Sequence, residues 1–403
     1  MKTLRFGFVV GPLLGALWLP VLSTTVAVAA SFITGDAYRP LMLYSVFWGA
    51  VLGGAAVRFD FSTPVLIAVI TFLAAVNFSG IGPMHTTEEF SLPALLASIL
   101  LAAAVVISQR RMVAGLEWGK LTRHEFEAAV IRFLLGAGYI IFTAIVLIPF
   151  YVMVMTSLKS QQALLANPLD FSLELSKGMD LFRSYTELFL DFGFGGYLWT
   201  SAFVSVLTVV ITLLFSIPGA YAVARLRFRG RAAFSRSILM IYMVPMIVLA
   251  LPIYIAFSIT GLRNSIFGIL LIYPVTTIPV ALYMLQGYFR GLPSEVEEAG
   301  LMDGLSRLAV IVKITLPLSL PALASVSLYV FMIAWNEFLL AFMLLDDPSK
   351  FTLTRGISSL NSSEIPRQHL MAGAVIATVP IMAIFLGLER FMTKGLTAGS
   401  VKG

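Results

Sequence analysis

Apolar residues run through this chain in long blocks divided by short polar stretches, not at the spacing that gives a soluble helix or strand one greasy face. Crossing a hydrocarbon layer of about 30 Å takes about 20 helical residues. Ten blocks reach or approach that length, near 7–33, 40–57, 62–80, 91–108, 133–156, 199–223, 237–260, 266–288, 317–344 and 370–391, the second to fourth being short. The pattern predicts an all-α polytopic membrane protein with about ten transmembrane helices. A membrane β-barrel does not fit, because its strands alternate with period two and do not collect 20 apolar residues in a row.

The polar interruptions organise the chain. Residues 109–132 are polar and basic, with Glu117, Glu125 and Glu127 among them. Thr122 followed by Glu125 has the form of a capping box, in which hydroxyl and carboxylate satisfy the free N–H groups at a helix start. An interfacial helix is therefore expected in 111–132. It separates a four-span extension, 1–110, from a six-span region, 133–403. No internal repeat relates the two parts. The first block has a second reading: Lys2 and Arg5, an apolar run and then Ala27-Val28-Ala29 resemble a signal peptide, although the run is long and contains Pro12 and Pro20. Two loops on the opposite side, about 158–198 and 345–369, exceed the 12–15 residues beyond which loops are usually functional or disordered.

Composition narrows the chemistry. Of 403 residues, 59% are hydrophobic and 12% charged, against roughly half and a quarter in soluble domains. With no cysteine, disulfides, thiolate nucleophiles and Cys metal sites are excluded. His85, His124 and His369 are far apart, so no His-based metal site or triad is visible. The net charge of +6 reads as topology rather than nucleic-acid binding, because the basic residues sit at block ends. Of 27 Lys and Arg, only Arg39, Lys159, Lys177, Arg183, Arg263, Lys350, Arg355 and Arg367 fall on one side of the ten-span pattern; the other 19 share the side of the N-terminus. The positive-inside rule makes that side cytoplasmic. Both termini, and the loop 290–316, are then expected in the cytoplasm.

That loop is unusually structured for a connector. Ser294 is a favourable N-cap, and Glu297 three residues on completes a capping box. Glu295, Glu297 and Glu298 suit the positive end of a helix dipole. Val296, Ala299 and Gly300, at i, i+3 and i+4, are expected on one flat face that another surface can approach. Gly304 suits the left-handed turn that ends a helix. Leu308, Ile311, Val312 and Ile314 read as a second short helix before Pro317 and Pro321. An interfacial helix resting on lipid carries Lys, Arg and large apolar residues. This one is acidic and small-sided, which favours docking to a protein.

Glu298-Ala299-Gly300-Leu301-Met302-Asp303-Gly304, followed by Leu316-Pro317-Leu318, resembles the "EAA" loop of binding-protein-dependent ABC importer permeases, with Gly300 where Ala is commoner. Residues 218–230 resemble the inner end of a core helix in these permeases, Ala334-Trp335-Asn336-Glu337-Phe338 resembles a segment common in the sugar-transporting branch, and the ending 394–403 is similar to the tail of a maltose-permease subunit. The resemblance covers about 133–403 and leaves the first four spans unmatched. It implies a type I permease core of six helices with a coupling loop at 290–316 and a cytoplasmic tail at 392–403. It also implies a second homologous permease subunit, two copies of a cytoplasmic ATPase, a soluble extracytoplasmic substrate-binding protein, and residence in the lipid of the bacterial inner membrane. No Gly-x-x-x-x-Gly-Lys-Ser/Thr loop occurs. The chain is thus expected to be no enzyme and to bind no cofactor, ATP and Mg belonging to the partner ATPase.

By the same resemblance, Glu297, Glu298, Ala299, Gly300, Asp303 and Gly304 are the candidate ATPase-coupling residues. Glu298 is the favoured contact to a basic group, and Asp303 either caps the second helix or fixes the turn, or makes direct contact. Arg225, Arg227, Arg229 and Arg231 read as a topology anchor. Glu337 is a carboxylate inside an apolar block, about 24 Å along a helix from Pro321 at 1.5 Å per residue. Intramembrane carboxylates usually face a cavity or partner. With Trp335 and Asn336 it forms the candidate substrate pathway. The expected activity is ATP-driven import of a sugar or oligosaccharide. The alternatives are a sugar acid or sugar phosphate as cargo, or an ion-coupled secondary transporter, which needs midplane ionisable groups.

Overall fold

The computed structural model describes residues 5–59, 62–86, 90–167, 175–242, 244–361 and 365–398. Two compact units divide the chain, 1–181 and 182–403.

The first unit contains α1 (Gly7–Thr34), β1 (Tyr38–Pro40), α2 (Met42–Arg58), α3 (Thr63–Val76), β2 (Met84–Thr86), α4 (Leu92–Met112), α5 (Arg123–Ser157) and α6 (Gln161–Ala166). Small residues set its central crossing. Gly11 and Gly15 of α1 face Gly53 and Gly49 of α2, so closely that a methyl on any of the four would land on the facing glycine's backbone. Such paired Gly-x-x-x-Gly stretches let helices approach in lipid, where packing and not water exclusion drives association. Gln109 of α4 is buried over this crossing and donates Nε2–H to the Gly49 carbonyl at 3.0 Å. Trp18 Nε1 donates to Ser108 Oγ at 2.7 Å, and Ser23 and Ser45 share a buried hydroxyl pair at 2.9 Å. Leu14, Leu19, Leu73, Leu101 and Val105 fill the core between these bonds. The β1–β2 ladder pairs Tyr38 with Thr86 and Pro40 with Met84 in antiparallel register.

The Thr122 capping box is present: Thr122 Oγ1 accepts from the Glu125 N–H, and Glu125 Oε2 accepts from the Thr122 N–H. No separate interfacial helix follows, however. The sequence between Thr122 and Ser157 contains no break stronger than Pro149, so α5 runs unbroken for 35 residues. Its early part is tied to the end of α4 by Arg132, which donates to the carbonyls of Met112 and Ala114, where a cation suits a helix C-terminus. Further along, Tyr151 stacks on Phe32 and donates to its carbonyl at 2.6 Å.

The second unit contains α7 (Arg183–Leu190), α8 (Phe194–Arg225), α9 (Arg231–Tyr242), α10 (Met246–Ile259), α11 (Ile266–Gly291), α12 (Ser294–Met302), α13 (Arg307–Val310), a π-helical segment (Ile311–Thr315), α14 (Leu316–Leu318), α15 (Leu320–Asn336), α16 (Leu339–Leu344), α17 (Leu353–Ser359) and α18 (Arg367–Ala398). Helices α8 and α11 pack along one another, α15 packs on both, and α18 packs on α15. Ala220, Tyr221, Ala281, Leu285, Phe289 and Val330 form the core at one end; Val204, Tyr273, Leu340 and Leu344 form it at the other. Between them Thr212 and Thr277 share a buried hydroxyl hydrogen bond of 2.6 Å.

Six helices among the described residues are long and apolar enough to cross a membrane, 7–34, 92–112, 123–157, 194–225, 266–291 and 367–389, and a bent pair, 307–318 with 320–336, forms a broken seventh. Three shorter apolar helices, 42–58, 63–79 and 246–259, account for the remaining blocks. Large apolar side chains such as Phe142, Leu214 and Ile255 stay exposed along them, as a lipid-facing surface requires. Two expected spans are discontinuous. The 237–260 block is shared by α9 and α10, with Pro245 at the start of the second. The 317–344 block bends by 81° near Ser319 and breaks again at Glu337, whose backbone is extended. The expected tail 392–403 is helical as far as Ala398, and 399–403 lie outside the described residues.

Candidate functional site

The 290–316 loop folds as a closed turn of helix on helix. Its first half, α12, starts one position earlier than its capping pattern suggested. Pro293 holds the N-cap position, Ser294 is already helical, and no side chain caps the end. Proline's fixed φ and missing N–H suit a helix entrance, which removes the reason for Glu297 to fold back. Its carboxylate turns inward instead, leaving the residue 6% exposed. There Oε1 accepts from Thr315 Oγ1 at 3.0 Å and Oε2 accepts from the Tyr221 hydroxyl at 3.3 Å. Arg225 Nε lies 3.4 Å from the same Oε2, both side chains being largely buried. Arg225 Nη2 also donates to the Leu292 carbonyl at 2.7 Å, at the end of α11. An isolated buried carboxylate is strongly unfavourable; here it has three partners, two from α8 and one from the π segment.

The end of α12 follows its expected chemistry. Gly304 has φ +83°. Leu305 N–H donates to Gly300 O and Gly304 N–H to Leu301 O, both at 3.1 Å, the crossed pair of a Schellman motif. Asp303 occupies the C-cap and is exposed. The second helix is capped by Ser306, whose hydroxyl accepts from Ala309 N–H; Asp303 is not that cap. Gly300 does not share the exposure of Val296 and Ala299. It is buried, and a Cβ there would meet Ile314 Cδ1 at 2.6 Å and Leu305 and Val310 at 3.5 Å. Its smallness lets the two halves of the loop close on each other. The outer surface carries Val296, Ala299, Met302 (87% exposed), Leu308 and Val312 together with the exposed charges of Glu295, Glu298, Asp303, Arg307 and Lys313: a mixed face of carboxylates, cations and apolar side chains.

The other candidates are parted. Trp335 is 3% exposed, stacks on Phe331 and donates Nε1–H to Ala377 O at 3.1 Å, which makes it a packing residue between α15 and α18. Asn336 is exposed, its amide donating back to Met332 O. Glu337 accepts from the Leu340 and Ala341 N–H groups at 2.9 and 3.1 Å and so caps α16; its own carbonyl accepts from Thr354.

At the end of the second unit remote from the loop, Asn264 is the one non-glycine residue with positive φ (+54°) among the described residues. Its Oδ1 accepts from the Asp346 and Asp347 N–H groups, its carbonyl accepts from Lys350, and Arg263 pairs with Asp346 at 2.6 Å. On the same unit His369 Nε2 lies 2.7 Å from Glu187 Oε2. The Arg183 hydrogen bond, and then the His369 contact, hold the Glu187 carboxyl below its ordinary value.

Tyr221, Arg225 and Thr315 were missed as loop residues by sequence reasoning, which assigned Arg225 to membrane topology. One signal was present: Glu297 and Gly300 are three residues apart and so share a face, and the close approach at Gly300 marks that face as the inner one.

The second unit thus holds a broken span, led into by a closed loop with an exposed, mixed face. The chain belongs to the family of sugar ABC transporter permeases. The family model described as "Binding-protein-dependent transport system inner membrane component" matches residues 216–397, which contain the whole loop. The chain is 37% identical over 270 residues to the inner membrane ABC transporter permease protein YcjP of Escherichia coli, covering 66% of this chain and 95% of that one. It is 33% identical over 281 residues to the trehalose/maltose transport system permease protein MalG of Thermococcus litoralis, covering 69% and 99%. Among solved structures, a chain of a bacterial ABC transporter involved in the import of the acidic polysaccharide alginate aligns with a TM-score of 0.56 and 25% identity, covering 67% of this chain and 98% of that one.

Proposed function

We propose that this chain is one permease subunit of an ATP-driven importer of a sugar or oligosaccharide. A soluble binding protein delivers the cargo, and two copies of a cytoplasmic ATPase supply the work. A second, homologous permease completes the pathway. Both termini and the 290–316 loop lie in the cytoplasm of an inner-membrane protein. ATP and Mg bind the ATPase, and this chain holds no cofactor.

The observation that carries this reading is the loop. Its inner side is fixed by buried groups, while Val296, Glu298, Ala299 and Met302 are exposed. A rigid patch with a central carboxylate suits a cleft carrying a basic group. Asp303 lies at the rim of the patch, and Glu297, Gly300 and Gly304 shape it. Closure of the ATPase on ATP then moves a preformed lever, and the pathway changes access by a two-state shift. The test is co-purification of the intact chain with its ATPase. Glu298→Lys is expected to abolish it; retention of the ATPase by that variant, or its absence from the unaltered complex, overturns the reading.

Maltose and trehalose are the first cargo probes, since the similar permeases include transporters named for them. An acidic carbohydrate is the second reading, supported by the alginate importer's structural likeness. Binding of each sugar to the cognate binding protein, measured by calorimetry, separates the two.

A further inference from the structure

We infer that Glu297 is a positioning residue that transmits movement of the coupling loop to α8, and is not part of the surface that meets the ATPase; the inference rests on the ATPase-docking reading above. The backbone of α12 packs on α13 and the π segment, that is, on the rest of its own loop. Side chains provide its directional link to the membrane helices. Tyr221 and Arg225, one turn apart at the end of α8, reach the same carboxylate oxygen of Glu297. Thr315 reaches the other oxygen from the last residue of the π segment. Four residues later the chain bends by 81° into α15. Arg225 meanwhile holds the Leu292 carbonyl where the loop leaves α11. One carboxylate therefore ties the moving element to α8, and through Arg225 to α11, and to the root of the broken span.

Energetics favour a positioning role over a purely stabilising one. Removing two charges from water costs about what their attraction returns, so a buried pair is weak support for stability. What such a pair supplies is a fixed geometry, since its hydrogen-bonding oxygens tolerate little displacement. A π-helical turn beside the pair adds a second irregular element at the same junction, of the kind that recurs at functional sites. Tyr221 packs edge-on against Phe289 of α11, so a pull on its hydroxyl reaches the core shared by α8 and α11.

The test uses the full complex in lipid nanodiscs. The natural chain lacks cysteine, so spin labels go on Leu190→Cys and Ser349→Cys, exposed sites of the second unit away from the loop. The distance between them is read with and without a non-hydrolysable ATP analogue. Glu297→Gln is expected to keep ATPase co-purification while its ATP-dependent population shift falls about tenfold, within the usual range of coupling factors. Tyr221→Phe and Thr315→Val, which leave no charge unpaired, are expected to fall by less, and Glu297→Asp to recover part of the shift. A full shift in Glu297→Gln overturns the proposal. So does loss of co-purification in Glu297→Gln equal to that of Glu298→Lys, because the residue then serves docking. Failure of the unaltered complex to hold its ATPase removes the docking reading itself.

Discussion

Two glycines four residues apart in the loop are predicted to respond differently to the same added methyl. Gly304 has φ +83°, a conformation that costs an L-residue about 1–2 kcal/mol. Gly304→Ala has open space for its Cβ, so its whole cost is backbone strain. That loosens the Schellman turn, whose bonds run from Leu305 N–H to Gly300 O and from Gly304 N–H to Leu301 O. Gly300→Ala meets only the terminal methyl of Ile314 at 2.6 Å, which a rotamer adjustment of about 0.5–1.5 kcal/mol can clear. Against that stands a gain of about 0.8–1 kcal/mol in helix propensity. The two terms nearly cancel. Hydrogen exchange on the intact chain in nanodiscs reads both. In Gly304→Ala the amides of Asp303, Gly304 and Leu305 should exchange roughly 5–30-fold faster, while those of α8 stay protected. Gly300→Ala should change the same amides by no more than about twofold. Unaltered protection in Gly304→Ala, or an equal loss in Gly300→Ala, would refute the assignment of strain to one site and packing to the other.

Three further outcomes are expected. Gly49→Val puts side-chain atoms onto the backbone of Gly15; overpacking of this kind costs about 1–3 kcal/mol and should lower the apparent melting temperature of the full chain in detergent. Asn264→Ala loses two accepted N–H bonds and strains the backbone, whereas Asn264→Gly keeps the φ; labelling of Ser349→Cys should therefore be faster in the alanine variant than in the glycine one. Glu187 has a lowered pKa, so its contribution is present above the ordinary carboxylate value and is lost as pH falls through the lower folded one. Spin-label mobility at Leu190→Cys should rise only in that acidic range, and Glu187→Gln should remove the dependence.

The membrane class and the positions of the apolar blocks were legible in the chain, because span length and block hydrophobicity answer to one solvent, the bilayer. So was the end of α12, since Gly304 occupies a backbone region that few other residues enter. The discontinuities were not. Ser319 and Glu337 interrupt an apolar block whose hydropathy remains high, and a helix break in such a block depends on which groups receive the freed backbone N–H and C=O. Glu337 supplies that function for α16, a role that is invisible until the break is seen. Residues Trp335, Asn336 and Glu337 are consecutive, and adjacency in sequence suggested a shared cavity. At a helix end, three consecutive side chains point three ways.

Glu297 and Glu298 likewise differ in kind although they are neighbours in one acidic run. About 100° of helical turn separates them, which places one inward and the other in solvent. Pattern alone assigned both to the dipole and the partner, because each is favourable near a helix N-terminus whichever way it points. The direction is decided from outside the loop. Arg225 sits at the end of α8 with one guanidinium nitrogen occupied by Leu292 O, and its remaining charge requires a buried anion within reach. Glu297 meets that requirement, and Gly300 on the same face permits the close approach. The loop's outward charge at Glu298 is then free to specify a partner, while its inward charge holds the surface that does so in place.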